Sequence, residues 1–276
     1  MIPNVLSIAG SDPSGGAGIQ ADLKSISANG GFAMAALTAL TAQNTAGVSG
    51  IHLVPAEFVR AQIDAIFADI RVDAVKIGMI ATAEIAEAVA DALEGRAVPV
   101  VLDPVMIAKG GAALLQPDAV AMIRTRLLPL ATVVTPNLPE AAHLLDSEIA
   151  TSRVEMEEQG RALRALSSGA VLIKGGHLEG AGSPDCLVFA DGCRWFESPR
   201  RQTQNTHGTG CTLSSALATQ IAKGADLPKA TEAAKAYVSH AIAHADDLRV
   251  GHGHGPTHHF AALYAAYSSD QNGSPS

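Results

Sequence analysis

AVKIGMIATAEIAEAVADALEGRAVPVVLD, residues 74–103, decides the fold class. AVKIG (74–78) and VPVVLD (98–103) are short, continuous apolar runs, and TAEIAEAVADALE (82–94) between them carries apolar residues at helical spacing. Strands that are apolar throughout are covered on both faces, and a helix joining two of them makes the pair parallel. The pattern repeats on either side. VLSIAG (5–10) runs through a Gly/Ser loop into helical IQADLKSIS (19–27), and the stretch after VPVVLD ends at Leu-rich TRLLPL (125–130). TVVTP (132–136) leads into NLPEAAHLLD (137–146), and the helix MEEQGRALRAL (156–166) precedes AVLIKGG (170–176). This predicts an α/β chain with a mostly parallel sheet between helical layers. DCLVFA and CRWFES flank Asp191-Gly192, a turn signal that predicts an antiparallel hairpin at the sheet edge. The chain from Gly208 onward reads as helical. The expected organisation is one domain over 1–267, with a polar, frayed tail over 268–276.

Composition narrows the function. The 276 residues are 47% hydrophobic and 17% charged, enough for one large core, and aromatics at 4% leave that core to Ala, Leu, Val and Ile. A net charge of −8 argues against nucleic acid or an anionic membrane as partner, so any anion site must be built locally. Cys186, Cys193 and Cys211 form no CxxC and leave one unpaired, which reads as a reducing compartment. MIPNVLSIAGSD lacks a basic region and a cleavable apolar run, and the longest apolar stretch, residues 32–42, is about half a membrane span. The expectation is a soluble, cytoplasmic protein.

NTHGTGCTLSSALATQIA (205–222) carries the strongest chemical signal. Gly208, Thr209 and Gly210 open an apolar helix, where glycine N–H groups and the helix dipole suit phosphate oxygens. Cys211 at that helix start is expected to have its thiol pKa pulled down. The plain alternative is a Gly-rich N-cap with a buried Cys. A second loop, GSDPSGGAGIQAD (10–22), is neither a Walker A sequence nor GxGxxG, which disfavours P-loop NTPases and dinucleotide-binding dehydrogenases. Following a strand, it is placed to close on a ligand, or it is only a tight turn. Asp103 ends a strand, and Asn137 and Glu140 open the helix after TVVTP; they suit Mg²⁺, or Asn137 and Glu140 form a capping box. Lys174, a cation ending an apolar strand, needs an anionic partner. Gln43 and Met79 suit the edge and face of a flat heteroaromatic ring, although Met79 also reads as core and Gln43 as loop. The histidines of GHGHGPTHHF (251–260) read as loop or structural residues, since no Cys or carboxylate cluster accompanies them. A cysteine acyl transferase built on Cys211 and His207 would need an orienting carboxylate, and none stands at a readable spacing.

Together these segments resemble the hydroxymethylpyrimidine/phosphomethylpyrimidine kinase family. The resemblance rests on IAGSDPSGGAGIQADLK (8–24), TAQNT (41–45), DAVKIGM (73–79), VVLDPVM (100–106), VTPNLPEAAHLL (134–145), VLIKGGHLE (171–179), NTHGTGCTLSSALA (205–218) and GHGPTHHF (253–260). It implies a ribokinase-like α/β/α sandwich, ATP and Mg²⁺, and two successive phosphorylations of an aminopyrimidine that serve thiamine biosynthesis. It implies Cys211 as catalytic base, Gly208–Gly210 as anion hole, and Gly10, Asp22, Gln43, Met79 and Val105 as pyrimidine contacts. Asp103, Asn137, Glu140, Lys174, Thr206 and Thr212 fall to the Mg-ATP side, with Asp103 and Glu140 on the metal. A homodimer is implied as well. Pyridoxal kinases of the same superfamily are the nearest rival, and Gln43, Met79 and Cys211 favour the pyrimidine. A binding-only regulator is disfavoured because the transfer residues are present.

Overall fold

The computed structural model describes residues 1–106 and 116–272. Its centre is an eight-stranded sheet in the order β10-β9-β8-β7-β6-β5-β1-β2. The strands are β1 (Asn4–Ala9), β2 (Phe32–Leu37), β5 (Ala74–Ile77), β6 (Val100–Leu102), β7 (Val133–Val134), β8 (Ala170–Lys174), β9 (Asp185–Phe189) and β10 (Gly192–Phe196). From β2 to β8 all pairings are parallel, and only β8–β9 and β9–β10 are antiparallel. The edge hairpin is present, with its turn at Ala190-Asp191, one residue earlier than the Asp-Gly signal suggested. Gly192, at φ 138°, pairs with Phe189 as the first residue of β10.

Successive strand residues feed opposite faces, which is why apolar runs rather than alternating ones mark these strands. Val5, Ala74, Val101 and Val133 pack with Ile26 of α1 (Gly18–Ala28), Leu213 and Leu217 of α7 (Thr209–Ala222), and Val238 of α8 (Leu227–Ala243). Their neighbours Leu6, Val75, Leu102 and Val134 pack on the other face. There they meet α2 (Ala56–Asp69), α3 (Ala83–Leu93), α5 (Leu138–Leu145) and α6 (Arg153–Leu166). The short α4 (Pro117–Met122) continues into a wide turn at Ile123–Leu127. A final helix, α9 (Ala261–Asn272), extends into the segment expected to be frayed; residues 273–276 lie outside the described part.

One element was not expected. The stretch after β2 does not stay in the main sheet but forms a separate antiparallel pair, β3 (Ala39–Asn44) and β4 (Gly47–Leu53). It is tied to the loop after β1, where Ser11 N donates to Ala39 O at 2.9 Å and Thr41 N to Ser11 Oγ at 3.0 Å. Strand order reverses around β1, and a cleft of about 1550 Å³ lies at the carboxyl ends of β1, β5, β6 and β8. Open parallel sheets bind ligands at such a switch point.

Candidate active site

The start of α7 is one wall of the cleft. Gly208 is left-handed at φ 75° and lies so close to the Gly16 carbonyl that a Cβ would overlap it. Glycine is therefore required there twice over, by conformation and by space. A Cβ on Gly210 would stand 3.2 Å from Lys174 Nζ and 3.5 Å from Asp103 Oδ2. The first turn of α7 thus opens directly onto a carboxylate–ammonium pair.

That pair is buried but not closed. Lys174 Nζ donates to Asp103 Oδ1 at 2.7 Å and lies 3.8 Å from Glu140 Oε2. Thr135 Oγ1 at 3.2 Å and Ser214 Oγ at 3.3 Å complete the Asp103 carboxylate. Burial pushes the Asp103 carboxyl up, but the Lys174 and Lys76 charges and these hydrogen bonds hold it below the ordinary range. Burial likewise opposes the Lys174 charge, and the Asp103 and Glu140 carboxylates outweigh it and raise its pKa. Glu140 is less well compensated. Burial pushes its carboxyl up to about 7, with Lys174 pulling down and Asp103 pushing up. Asn137 and Glu140 do form a capping box, at 2.8 and 2.7 Å, so the cap reading and exposure to the cleft coexist in one residue.

Across the cleft stand Gly10, Gln43, Met79 and Val105, and Thr206 lines the approach to α7. Gly10 has no room for a side chain because the Met79 methyl occupies that space. Between Gln43 and the α7 start sits a pair that the sequence reading left unjoined: His207 Nε2 lies 2.8 Å from Asp12 Oδ2. Asp12 also accepts from Ser14 N at 2.9 Å and Ala17 N at 2.8 Å, so it shapes the glycine-rich loop as well. This is the orienting carboxylate that the spacing hid, 195 residues from its partner. The hydrogen bonds of His207 among the described residues do not include Cys211, so no Cys–His couple forms.

Two expected contacts are not at the cleft surface. Asp22 is fully buried, held by Lys76 Nζ at 2.8 and 2.9 Å, Ser7 Oγ at 2.6 Å and Ser215 Oγ at 2.8 Å. Both of its oxygens are held by protein donors, and it does not line the cleft. Thr212 is buried too, its hydroxyl donating to Gly208 O at 2.8 Å and lying 3.0 Å from His259 Nε2. A third expectation reverses in sign. The Cys211 thiol is not acidified but pushed up to about 11, because burial outweighs the Lys76 charge and a backbone N–H from Gly18, and Asp22 and Asp103 add to the rise. The missed residues, Asp12 and Lys76, had different signals. Asp12 looked like a turn former, whereas Lys76 inside apolar AVKIG carried the same mark that singled out Lys174.

A parallel sheet with this switch point, a glycine nest at the start of α7 and a facing Asp–Lys pair define a ribokinase-like small-molecule kinase. Residues 12–258 match the family model described as phosphomethylpyrimidine kinase. The chain is 54% identical over 262 residues to the hydroxymethylpyrimidine/phosphomethylpyrimidine kinase of Escherichia coli (strain K12), covering 95% of this chain and 98% of that one. Among solved structures, an ADP complex of Bacillus subtilis pyridoxal kinase superposes with TM-score 0.87 at 35% identity, covering 96% of this chain and 100% of that one. Phosphomethylpyrimidine kinase from Clostridium difficile gives TM-score 0.77 at 39% identity, over 87% and 99%. The chain belongs to the phosphomethylpyrimidine kinase family.

Proposed function

We propose that this chain phosphorylates 4-amino-5-hydroxymethyl-2-methylpyrimidine from ATP, and then phosphorylates the monophosphate to the diphosphate, in thiamine diphosphate biosynthesis. The observation that carries the reading is that the start of α7 faces a lysine already paired with a strand-end aspartate: a Cβ added at Gly210 would stand 3.2 Å from Lys174 Nζ. Phosphoryl transfer has a loose transition state, so positioning and charge neutralisation dominate. The backbone N–H groups of the α7 start would hold the transferring oxygens, and Lys174 would face the donor phosphates. Gln43 and Met79 would orient the ring. Cys211 would take the alcohol proton in the first step, and only through its small thiolate fraction.

Mg²⁺ fits the residues present. Glu140 is a buried carboxylate whose charge is under-compensated, and Mg²⁺ is commonly held by one or two carboxylates with phosphates and waters completing its shell. Asp103 and Glu140 would hold it, and the ion would neutralise charge on the phosphates. Asn137 and Thr206 line the cleft and would face the nucleotide. The chain is further read as a cytoplasmic homodimer. No helix among the described residues is long and apolar enough to cross a membrane.

The likeness to pyridoxal kinases supports a second reading, pyridoxal as acceptor. Incubating the chain with Mg-ATP and each ring separately, followed by mass spectrometry, tests both. One and then two phosphoryl increments on the pyrimidine are expected. Phosphorylation of pyridoxal alone would overturn the first reading in favour of the second, and light scattering checks the dimer.

A further inference from the structure

What fixes the polarity of the Gln43 amide decides which ring edge it can meet. Its Oε1 lies 3.3 Å from Thr41 Oγ1, and its Nε2 lies 3.3 Å from His207 Nε2. The His207 contact cannot be a hydrogen bond in that setting, and the Thr41 contact is only the longer branch of a shared hydroxyl proton. His207 Nε2 is 2.8 Å from Asp12 Oδ2. Burial pushes the Asp12 carboxyl up, yet hydrogen bonds from His207, Ser14 and Ala17 hold it below the ordinary range, so it is an ionised acceptor. The imidazole proton must then sit on Nε2, where it meets a second donor, the Gln43 NH₂. At Thr41 the single hydroxyl proton is drawn mainly to Ser11 O at 2.9 Å, which leaves the 3.3 Å contact to Gln43 Oε1 the weaker branch. A half-turn of the amide makes both contacts full hydrogen bonds. The imidazole N–H is then shared between Asp12 and the Gln43 carbonyl oxygen, and the Gln43 NH₂ donates to the free Thr41 lone pair.

The imidazole cannot easily turn away. A Cβ on Gly16 would stand 2.6 Å from His207 Cδ2, the ring lies beside Pro256, and His207 N donates to Gly255 O at 3.0 Å. We propose that Asp12 and His207 are positioning residues that lock the Gln43 carbonyl oxygen toward His207 and its NH₂ toward Thr41, and so select a ring with an acceptor nitrogen beside an amino donor. This rests on the pyrimidine reading of the cleft. Locked in this way, Gln43 keeps one N–H and one lone pair for ligand. An amide reads such a pair on an aminopyrimidine as Asn or Gln reads the amino and ring nitrogens of adenine. A pyridinol of the pyridoxal type lacks the amino–imine pair and gains nothing from the lock.

Two measurements on the full chain decide the matter. Long-range nitrogen–proton NMR of the histidine rings should find the His207 proton on Nε2; a proton on Nδ1 alone overturns the lock. In kinetics, His207→Phe keeps ring volume but removes the N–H. It should raise KM for hydroxymethylpyrimidine about tenfold, with kcat and KM for ATP within about twofold, and leave any turnover of pyridoxal unchanged. His207→Gln, which can still donate, should restore most of the loss. In a Gln43→Ala background, His207→Phe should add less than about twofold, since its effect runs through Gln43. Equal losses toward ATP and ring, or full additivity in that background, would overturn the proposal. A wild-type chain inert toward hydroxymethylpyrimidine overturns the proposed function and the ring selectivity together, while the tautomer still decides how the amide is set.

Discussion

Two lysine–aspartate pairs lie at the ends of neighbouring structural tasks, and they differ in how completely the protein satisfies them. Lys76 on β5 and Asp22 on α1 are both 0% exposed, and Asp22 receives hydrogen bonds from Ser7 on β1 and Ser215 on α7 as well. Four elements are thereby joined under the cleft. Burial alone would push the Lys76 ammonium down, and the Asp22 charge outweighs it and holds it up. Lys174 and Asp103 form an equally short pair, but Lys174 is 14% exposed and a third group, Glu140, remains under-compensated beside them. A saturated buried pair is framework, whereas an incompletely satisfied one keeps binding capacity for a ligand. Cys211 lies within the fields of both.

The largest effect should come from breaking the saturated pair. Lys76→Met leaves Asp22 charged and unpaired, and should lower unfolding free energy by about 3–5 kcal/mol in urea titrations. Lys76→Met with Asp22→Leu removes both charges and should recover most of that loss. A single variant as stable as wild type would mean that the pair is not framework.

Next comes the group between the pairs. Cys211→Ser should slow alcohol phosphorylation by about 10²-fold, at the low end of general-base effects, because so little thiolate is present. The second step should slow much less, since its acceptor phosphate is already mostly dianionic above its second pKa of about 6. The sign with pH follows from a thiol pushed up to about 11. Between pH 7 and 9 the thiolate fraction, and with it the first-step rate, should climb about tenfold per unit. A flat profile, or equal slowing of both steps, would remove Cys211 from the role of base.

Gly210→Ala should slow both steps together by about tenfold or more, because its methyl would press on Lys174 and Asp103 and displace the transferring group. Loss of one step only would show that the nest serves a single acceptor.

A substitution at the under-compensated carboxylate separates metal work from capping. Glu140→Gln keeps the capping box geometry. Burial pushes the Glu140 carboxyl up to about 7 from an ordinary 4.5, so the group favours folding at acid pH and opposes it once ionised. Stability from this group is fully present below about 4.5 and lost as pH rises through about 7. Ligand-free Glu140→Gln should therefore be more stable than wild type at pH 8, by on the order of 1–3 kcal/mol, and about equal at pH 4. The Mg²⁺ concentration for half-maximal rate should rise strongly. Unchanged Mg²⁺ dependence would leave Glu140 as a cap only.

The contrast between the pairs also marks what the sequence could say. Strand–helix alternation, the helix start at Gly208–Gly210 and an anionic partner for Lys174 were legible because their signals are local: apolar runs, glycines at a helix start, a cation in an apolar strand. The burial of Asp22 was not legible, since its family match says nothing about the Lys76, Ser7 and Ser215 side chains that hold it from three other elements. Asp12 reads locally as a turn residue, and nothing nearby announces His207. The β3–β4 pair was missed because Thr, Gln and Asn interrupt β3 and two glycines and a serine interrupt β4, so neither has the dense apolar pattern of the main sheet, and tertiary contacts with Ser11 hold one end of the pair. The Cys211 shift went the wrong way because a helix terminus is visible in sequence and depth of burial is not.

Gly208 packed against the Gly16 carbonyl has a consequence for how ring preference can change over generations. The glycine-rich loop after β1 and the turn into α7 meet backbone to backbone, and Gly18 is likewise pressed against the Gly10 carbonyl. A shift of one loop would therefore carry the other with it. On the proposed function, a change of acceptor falls to the side chains that line the cleft, such as Gln43, Met79 and Val105, and not to the backbone beneath them.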